Sequence, residues 1–342
     1  MPAIPSSHPH LETDLWRWWL FESGLSRRRA REIIMQGAQS NALSLFWQAG
    51  PEILAQQLAL SPTEIALLRE AQAGWPQIEA QFEAERNQGM KTLRLNEPGF
   101  PDSLLRFLPP DQRPLLLFLR GETTLLDLPL ALPATAAPLD ASTEAWTLET
   151  LAELTAEGAL ALFIARAGFD ARGVKAFLEA GIPFALVIPQ GIAAYEPPAG
   201  LQKALDEERV LLISPFQPHW QPPARGENPM LPHASDFAKS LAHALLAPGA
   251  PLPHPAAGQP CFRGPGVADE ERCPDVYDGA EAFFLRLAEA SAPLPSKAPA
   301  APAPQPDLPP PSPEEILSTL AQGGQIPPAL AKRLKNHSRT NH

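Results

Sequence analysis

Within Phe163–Gly181, FIARAGFDARGVKAFLEAG, four residues have the chemistry to hold a phosphate. Gly168 permits close backbone approach at a turn between a strand and a helix, and Arg166, Arg172 and Lys175 supply positive charge around it. Asp170 stands at the expected N-cap, where its carboxylate bonds the first-turn amides and competes with a phosphate for them. The competing reading is an Asp-capped helix whose Val174, Phe177 and Leu178 face the core.

Other chemistries find less support. No GxGxxG follows a strand and no GxxxxGK[ST] occurs, so neither dinucleotide-binding nor P-loop chemistry is indicated. The eight histidines are scattered without metal-ligand spacing, and no Ser/His/Asp arrangement suggests itself. Glu207 and Glu208 read as solvated charges at a helix end. No cofactor is implied, and the chain reads as a non-enzyme. Trp16, Trp18 and Trp19 offer faces on which bases stack, or a core at helical spacing. Gly24–Ala30, GLSRRRA, resembles one half of a helix–hairpin–helix, which makes Arg27 and Arg28 accessory phosphate candidates. The alternative there is a solvated arginine face.

The formal charge of −11 argues against a surface coated in positive charge for non-specific nucleic-acid binding, while leaving room for a local basic groove. Cys261 and Cys273 fit neither a disulfide framework nor a zinc site; they read as free thiols, with a bridge between them as the alternative. MPAIPSSHPH has no basic and apolar signal pattern, and no run of about 18 apolar residues appears, so a cytoplasmic protein without a membrane span is expected.

The elements that must position these residues follow from patterning. Residues 11–88 read as a helical domain. Ser26 is an expected N-cap, and Ser61-Pro62-Thr63-Glu64 is a capping box with proline at the first helical position. From Lys91 onward, short apolar strands alternate with helices: Lys91–Leu95, Leu115–Leu119, Leu128–Leu132, Ala159–Ile164, Pro183–Ile188 and Val210–Ile213 are strands. Glu144–Ala156, Ala171–Ala180, Leu201–Glu207 and Ser235–Leu246 are helices. Continuously apolar strands joined through helices predict an α/β domain over residues 89–291, a Rossmann-like parallel sheet with helices on both faces.

Three stretches resemble the DNA-processing protein A (Smf) family. Phe100–Leu105 with Arg113–Gly121 is similar to its YP..L and PP-x-LY-x-x-G segments. Gly168–Gly181 lines up without a gap on G-I-D-x-x-A-H-[RK]-x-x-L-x-x-G. Ala185–Ile192 with Tyr195-Glu196-Pro197 resembles V-L-G-x-G-L…Y-P. Val210–Ser214, Asp278-Gly279-Ala280 and a helical accessory domain (SAM or helix–hairpin–helix-like) extend the likeness across roughly residues 14–290. The departures concern the phosphate loops. Where the family has G-[ST]-R, the chain has Leu132–Pro138, LPATAAP, with no glycine, no arginine and two prolines that cannot donate an amide. The histidine after G-I-D is Val174, and Asn228 is the nearest remnant of F-P-x-R-N.

The resemblance implies a single-stranded DNA-binding protein of natural transformation and recombination that loads a RecA-type recombinase as a homodimer. Arg166, Gly168, Arg172, Lys175 and Gly191 are then its phosphate-binding residues, with partly degenerate loops. The alternatives are an interaction scaffold that has lost DNA binding, and a nucleotide-metabolising enzyme of the related fold, whose PGGxGTxxE box is absent.

Residues 293–313 hold ten prolines in twenty-one positions. Residues 292–312 therefore read as an extended linker, and 313–342 as a short helical segment beginning at a second capping-box pattern, Ser312-Pro313-Glu314-Glu315. Limited proteolysis of the full chain is expected to cut first within residues 293–311, as followed by mass spectrometry of the fragments.

Overall fold

Local signals in the sequence start most of the helices. In the computed structural model, which describes residues 9–40, 43–135, 137–268 and 271–291, the N-terminal region is α1 (Leu11–Phe21), α2 (Arg27–Ser40), α3 (Leu43–Gln48), α4 (Pro51–Leu58), α5 (Pro62–Ala73) and α6 (Trp75–Asn87). Ser26 Oγ accepts from the Arg29 amide at 3.3 Å, and the Ser61–Glu64 capping box forms in both directions. The linker and the C-terminal segment expected over 292–342 lie outside the described residues.

Trp16, Trp18 and Trp19 are buried, and Trp18 meets Trp47 edge-on while Trp47 meets Trp75. The tryptophans form the core of the helical region, which excludes them as a base-stacking surface. Charge is buried beside them. Arg17 bonds Glu85, both at most 4% exposed, and its guanidinium lies 3.7 Å from the centre of the Phe82 ring and 5.6 Å from that of Phe118. Asp14 takes a two-pronged bond from Arg86 at 2.8 and 2.9 Å. His219, from the loop Pro215–Trp220, reaches Glu85 Oε1 at 2.6 Å.

The α/β part follows as β1 (Met90–Arg94), α7 (Asp102–Phe107), β2 (Leu116–Gly121), β3 (Leu130–Pro133), α8 (Ala141–Ala156), β4 (Leu160–Ile164), α9 (Phe169–Ala180), β5 (Phe184–Val187), α10 (Ala199–Asp206), β6 (Val210–Ser214), α11 (Leu231–Leu241), β7 (Ala244–Ala247), β8 (Cys261–Arg263), β9 (Asp275–Val276) and α12 (Ala280–Ser291). Nine strands form one sheet in the order β1-β2-β6-β5-β4-β3-β7-β8-β9, parallel from β6 to β9, with β1 and β2 added antiparallel at one edge. The central strands β3 to β7 are buried at every position, as expected where both faces are covered. Alternation in β4 sends Ala161 and Phe163 into one apolar layer and Leu160, Leu162 and Ile164 into the other. The described residues belong to one compact unit ending at Ser291.

The strand order reverses once. β3 to β6 step successively away in one direction, and β7 then returns to pair with the free side of β3. In such sheets the carboxyl ends of the strands flanking the reversal open a crevice, here between β3 and β7.

Two expectations are corrected. The helix expected over Ser235–Leu246 ends at Leu241: Ala242 is extended, at ψ 137°, and Ala244–Ala247 is the strand β7. His243 enforces the break, since its amide donates to the Leu130 carbonyl at 2.8 Å and its Nδ1 accepts from the Leu130 amide at 3.0 Å. The two cysteines are not free thiols; they are joined in a disulfide, Cys261–Cys273, that ties β8 to the segment entering β9.

Burial pushes the His243 imidazole below its usual value of 6.5, with Asp102 opposing. The unfolded chain takes up this proton near 6.5, whereas the folded chain resists it to lower pH, so the contribution is full above 6.5 and is lost on acidification. The melting temperature is expected to fall from about pH 7 to about pH 5, and to fall less in His243→Asn, which keeps an acceptor for the Leu130 amide. Equal losses in calorimetry would overturn the assignment.

Candidate functional site

Asp170 organises the turn after β4. It lies inside the first turn of α9, where the N-cap is Gly168 and no side chain caps the helix. The N-cap role expected for Asp170 is therefore corrected. Its carboxylate, 1% exposed, turns back toward the sheet: Oδ1 accepts from the Ile164 amide at 3.0 Å and Oδ2 from Arg166 Nε at 2.6 Å. Burial pushes this carboxyl group's pKa up, while the Arg166 charge and the bonds to it pull the other way. Arg166 then reaches across to the β3 loop, where Nη2 lies 3.3 Å from the Thr135 carbonyl and 3.5 Å from its Oγ1. The loops after β3 and β4 are thus held together through one guanidinium.

Gly168 has φ +93°, a backbone region that favours glycine, and a Cβ there would meet nothing within 4 Å. The turn is open on that side. Two clefts meet around it. One, of about 320 Å³, lies at the reversal of strand order and is lined by Leu132, Thr135, Arg166, Lys239, Leu252 and His254. The other, of about 350 Å³, faces the N-terminus of α9 and is lined by Thr135, Pro138, Arg166, Gly168, Phe169 and Arg172. Thr135 and Arg166 belong to both.

The remaining sequence-predicted residues fall in different places. Arg172 sits at the rim, bonded through Nε and Nη2 to Glu144 of α8 at 2.6 Å each. Lys175 is one turn along α9, 75% exposed and 3.8 Å from Glu179. Gly191 is buried, and a Cβ there would stand 2.1 Å from the Pro218 carbonyl oxygen; its amide donates to the Trp220 carbonyl at 2.8 Å. The close approach that this glycine permits is made by the chain's own loop, so its face and amide are already occupied. Asn228 donates to the Pro189 carbonyl at 2.7 Å and accepts from the Met230 amide at 2.9 Å, fixing the entry to α11. Arg27 and Arg28 line a separate cleft beside Pro215.

Sequence reading missed Lys239, Ser235, Thr135 and His254. Ser235 and Lys239 are four apart on α11 and share a face. The signal for them was the run Ala244–Ala247 bounded by Pro248-Gly249: read as a buried strand, it sets α11 against the crevice. Among the described residues no group of three or more His, Cys, Asp or Glu is placed to hold a metal ion. No helix among them is long and apolar enough to cross a membrane.

The architecture has a known counterpart. DNA processing protein A from Streptococcus pneumoniae superposes with a TM-score of 0.55 over 80% of this chain and 97% of its own, at 16% identity. The chain has the fold of DNA processing protein A. A structure of DNA processing protein A from Helicobacter pylori, described for its single-stranded DNA binding mode, gives a TM-score of 0.42 over 58% of this chain and 96% of its own, at 19% identity. No family model matches the chain, and no curated protein matches it. In the loop after β3, bounded by Pro133 and Pro138, the Ala134 amide donates to the Leu246 carbonyl at 2.7 Å and the Thr135 amide to the Pro133 carbonyl at 3.1 Å.

Removing Arg166 strands a buried carboxylate. Arg166→Ala is expected to destabilise the chain by about 2–3 kcal/mol, below the range for a fully buried pair because Arg166 is partly exposed. Arg166→Lys is expected to recover only part of this, since one ammonium lacks the fork that serves Asp170 and Thr135 together. Urea unfolding checks both variants, and an unchanged midpoint in Arg166→Ala would overturn the role.

Proposed function

We propose that the protein binds single-stranded DNA along the carboxyl edge of its sheet, without chemical turnover. The observation that carries this reading is the joining of two clefts, through Thr135 and Arg166, at the reversal of strand order. An uncapped helix N-terminus attracts anionic groups, and α9 directs its own at one of these clefts. Lys239 and His254 rim the other, over an apolar floor of Leu132 and Leu252 suited to bases. In this proposal Lys239, Lys175 and Arg172 meet phosphates and Gly168 allows the backbone to approach. Arg166 holds the two loops in place. From the motif resemblance the proposal extends to a homodimer that loads a RecA-type recombinase.

A second reading, an interaction scaffold that no longer binds DNA, is favoured by the use already made of the donors. The amides of Ala134 and Thr135 are bonded within the chain, and Arg166 and Arg172 are both in ion pairs.

Fluorescence anisotropy with oligothymidylate, across a salt series, separates the two. The expected result is binding whose logarithm falls linearly with the logarithm of salt, with Lys239→Ala and Lys175→Ala each lowering the slope by about 0.7, the value for one single-strand phosphate contact. An absence of binding at low salt would leave the scaffold reading in place. Light scattering reports the homodimer, and recombinase filament assembly on DNA coated with a single-strand-binding protein reports the loading activity.

A further inference from the structure

A third cleft, of about 600 Å³, lies between the helical region and the sheet. Its floor is apolar, with Phe21, Leu116 and Pro215, and its rim carries Arg27, Arg28 and Arg31 from the first two turns of α2. These arginines are poorly neutralised. Arg27 is exposed and makes no ion pair among the described residues. Arg28 is 92% exposed and reaches Glu32 at 3.3 Å on the open helix surface. Arg31 spends its guanidinium on neutral carbonyls, donating to that of Arg113 at 2.7 Å and to that of Pro110. Neighbouring Arg113 likewise donates to carbonyls, of Leu108 and Leu105. Asp111 is the one acid among the described residues that line the cleft. In a chain of net charge −11, this is a local positive field over an apolar floor.

Its place in the sheet gives the field a direction. Phe118 of β2 stands opposite Ser214 of β6, so Leu116 and Pro215 lie together at the carboxyl end of β6. The cleft that faces the N-terminus of α9 lies by the carboxyl end of β4, on the same edge and two strands from β6. Two strand spacings amount to about 10 Å. We propose that the arginine groove of α2 continues the single-strand path, with Arg27 and Arg28 on phosphates and Phe21 offering an aromatic edge to a base. This inference rests on the edge-binding reading above and lengthens its site.

The test compares short and long oligothymidylates, of about 6 and about 25 nucleotides, on the full chain and on Arg27→Ala/Arg28→Ala. Both arginines are exposed, so circular dichroism is expected to show an unchanged fold. The double variant is expected to bind the short strand as the wild type does, and to bind the long strand about ten-fold more weakly, with a salt slope shallower by about 1.4. Unchanged long-strand affinity and slope would overturn the groove while leaving the edge reading intact. Failure of the wild type to bind either strand at low salt would remove both. If polyglutamate binds the wild type directly and loses affinity in the double variant while long-strand affinity is the same in both, the groove belongs to an acidic peptide and the proposal is overturned.

Discussion

The buried carboxylate of Asp170 is the constraint around which the carboxyl edge is built. A charge this enclosed persists only with its lone pairs occupied, and the Ile164 amide and Arg166 occupy them. Arg166 is thereby drawn over the end of β4 and onto Thr135, and the loops after β3 and β4 take fixed positions. The openness of the turn at Gly168 follows from the same arrangement. With Asp170 turned inward, the first turn of α9 is left without a side-chain cap.

The arrangement also sorts the cations at the edge. Arg166 cannot leave Asp170 without exposing an unpaired buried charge, so it is fixed in place. Arg172, Lys175 and Lys239 pair with acids at the surface, where such pairs contribute little and are screened by salt. In the proposed binding mode a phosphate would displace the partners of these three more readily than that of Arg166. With the Ala134 and Thr135 amides bonded within the chain, the proposed binding mode relies on α9 and α11 for its anion contacts.

Much of this was legible in the sequence because periodicity and capping are local. The Ser61 capping box, the strand at Ala159–Ile164 and the glycine turn at 168 all follow from neighbouring residues, and the parallel α/β sheet follows from their alternation. What escaped depended on distant partners. Asp170 reads as a cap from its neighbours alone, and only the approach of Ile164 and Arg166 turns it inward. Gly191 looks like a ligand cradle until Gln217 and Pro218 are seen to fill it. Lys239 was obscured because Ala244–Ala247 suits helix and strand equally, and the pairing of β7 with β3 decides between them. The bridge between Cys261 and Cys273 likewise depends on β8 and the chain entering β9 being brought side by side.

Phe118 of β2 has Phe21 at 6.0 Å between ring centres and Arg17 above it, and Arg17 is in turn buried against Glu85 and Phe82. The antiparallel edge of the sheet is therefore roofed by α1 and α6 and not by a crossover helix of its own. A fragment beginning at β1 would present bare aromatic surface along an unprotected sheet margin, the kind of surface that seeds self-association. The helical segment thus shields this margin of the sheet, and any attempt to isolate the α/β part must replace that roof.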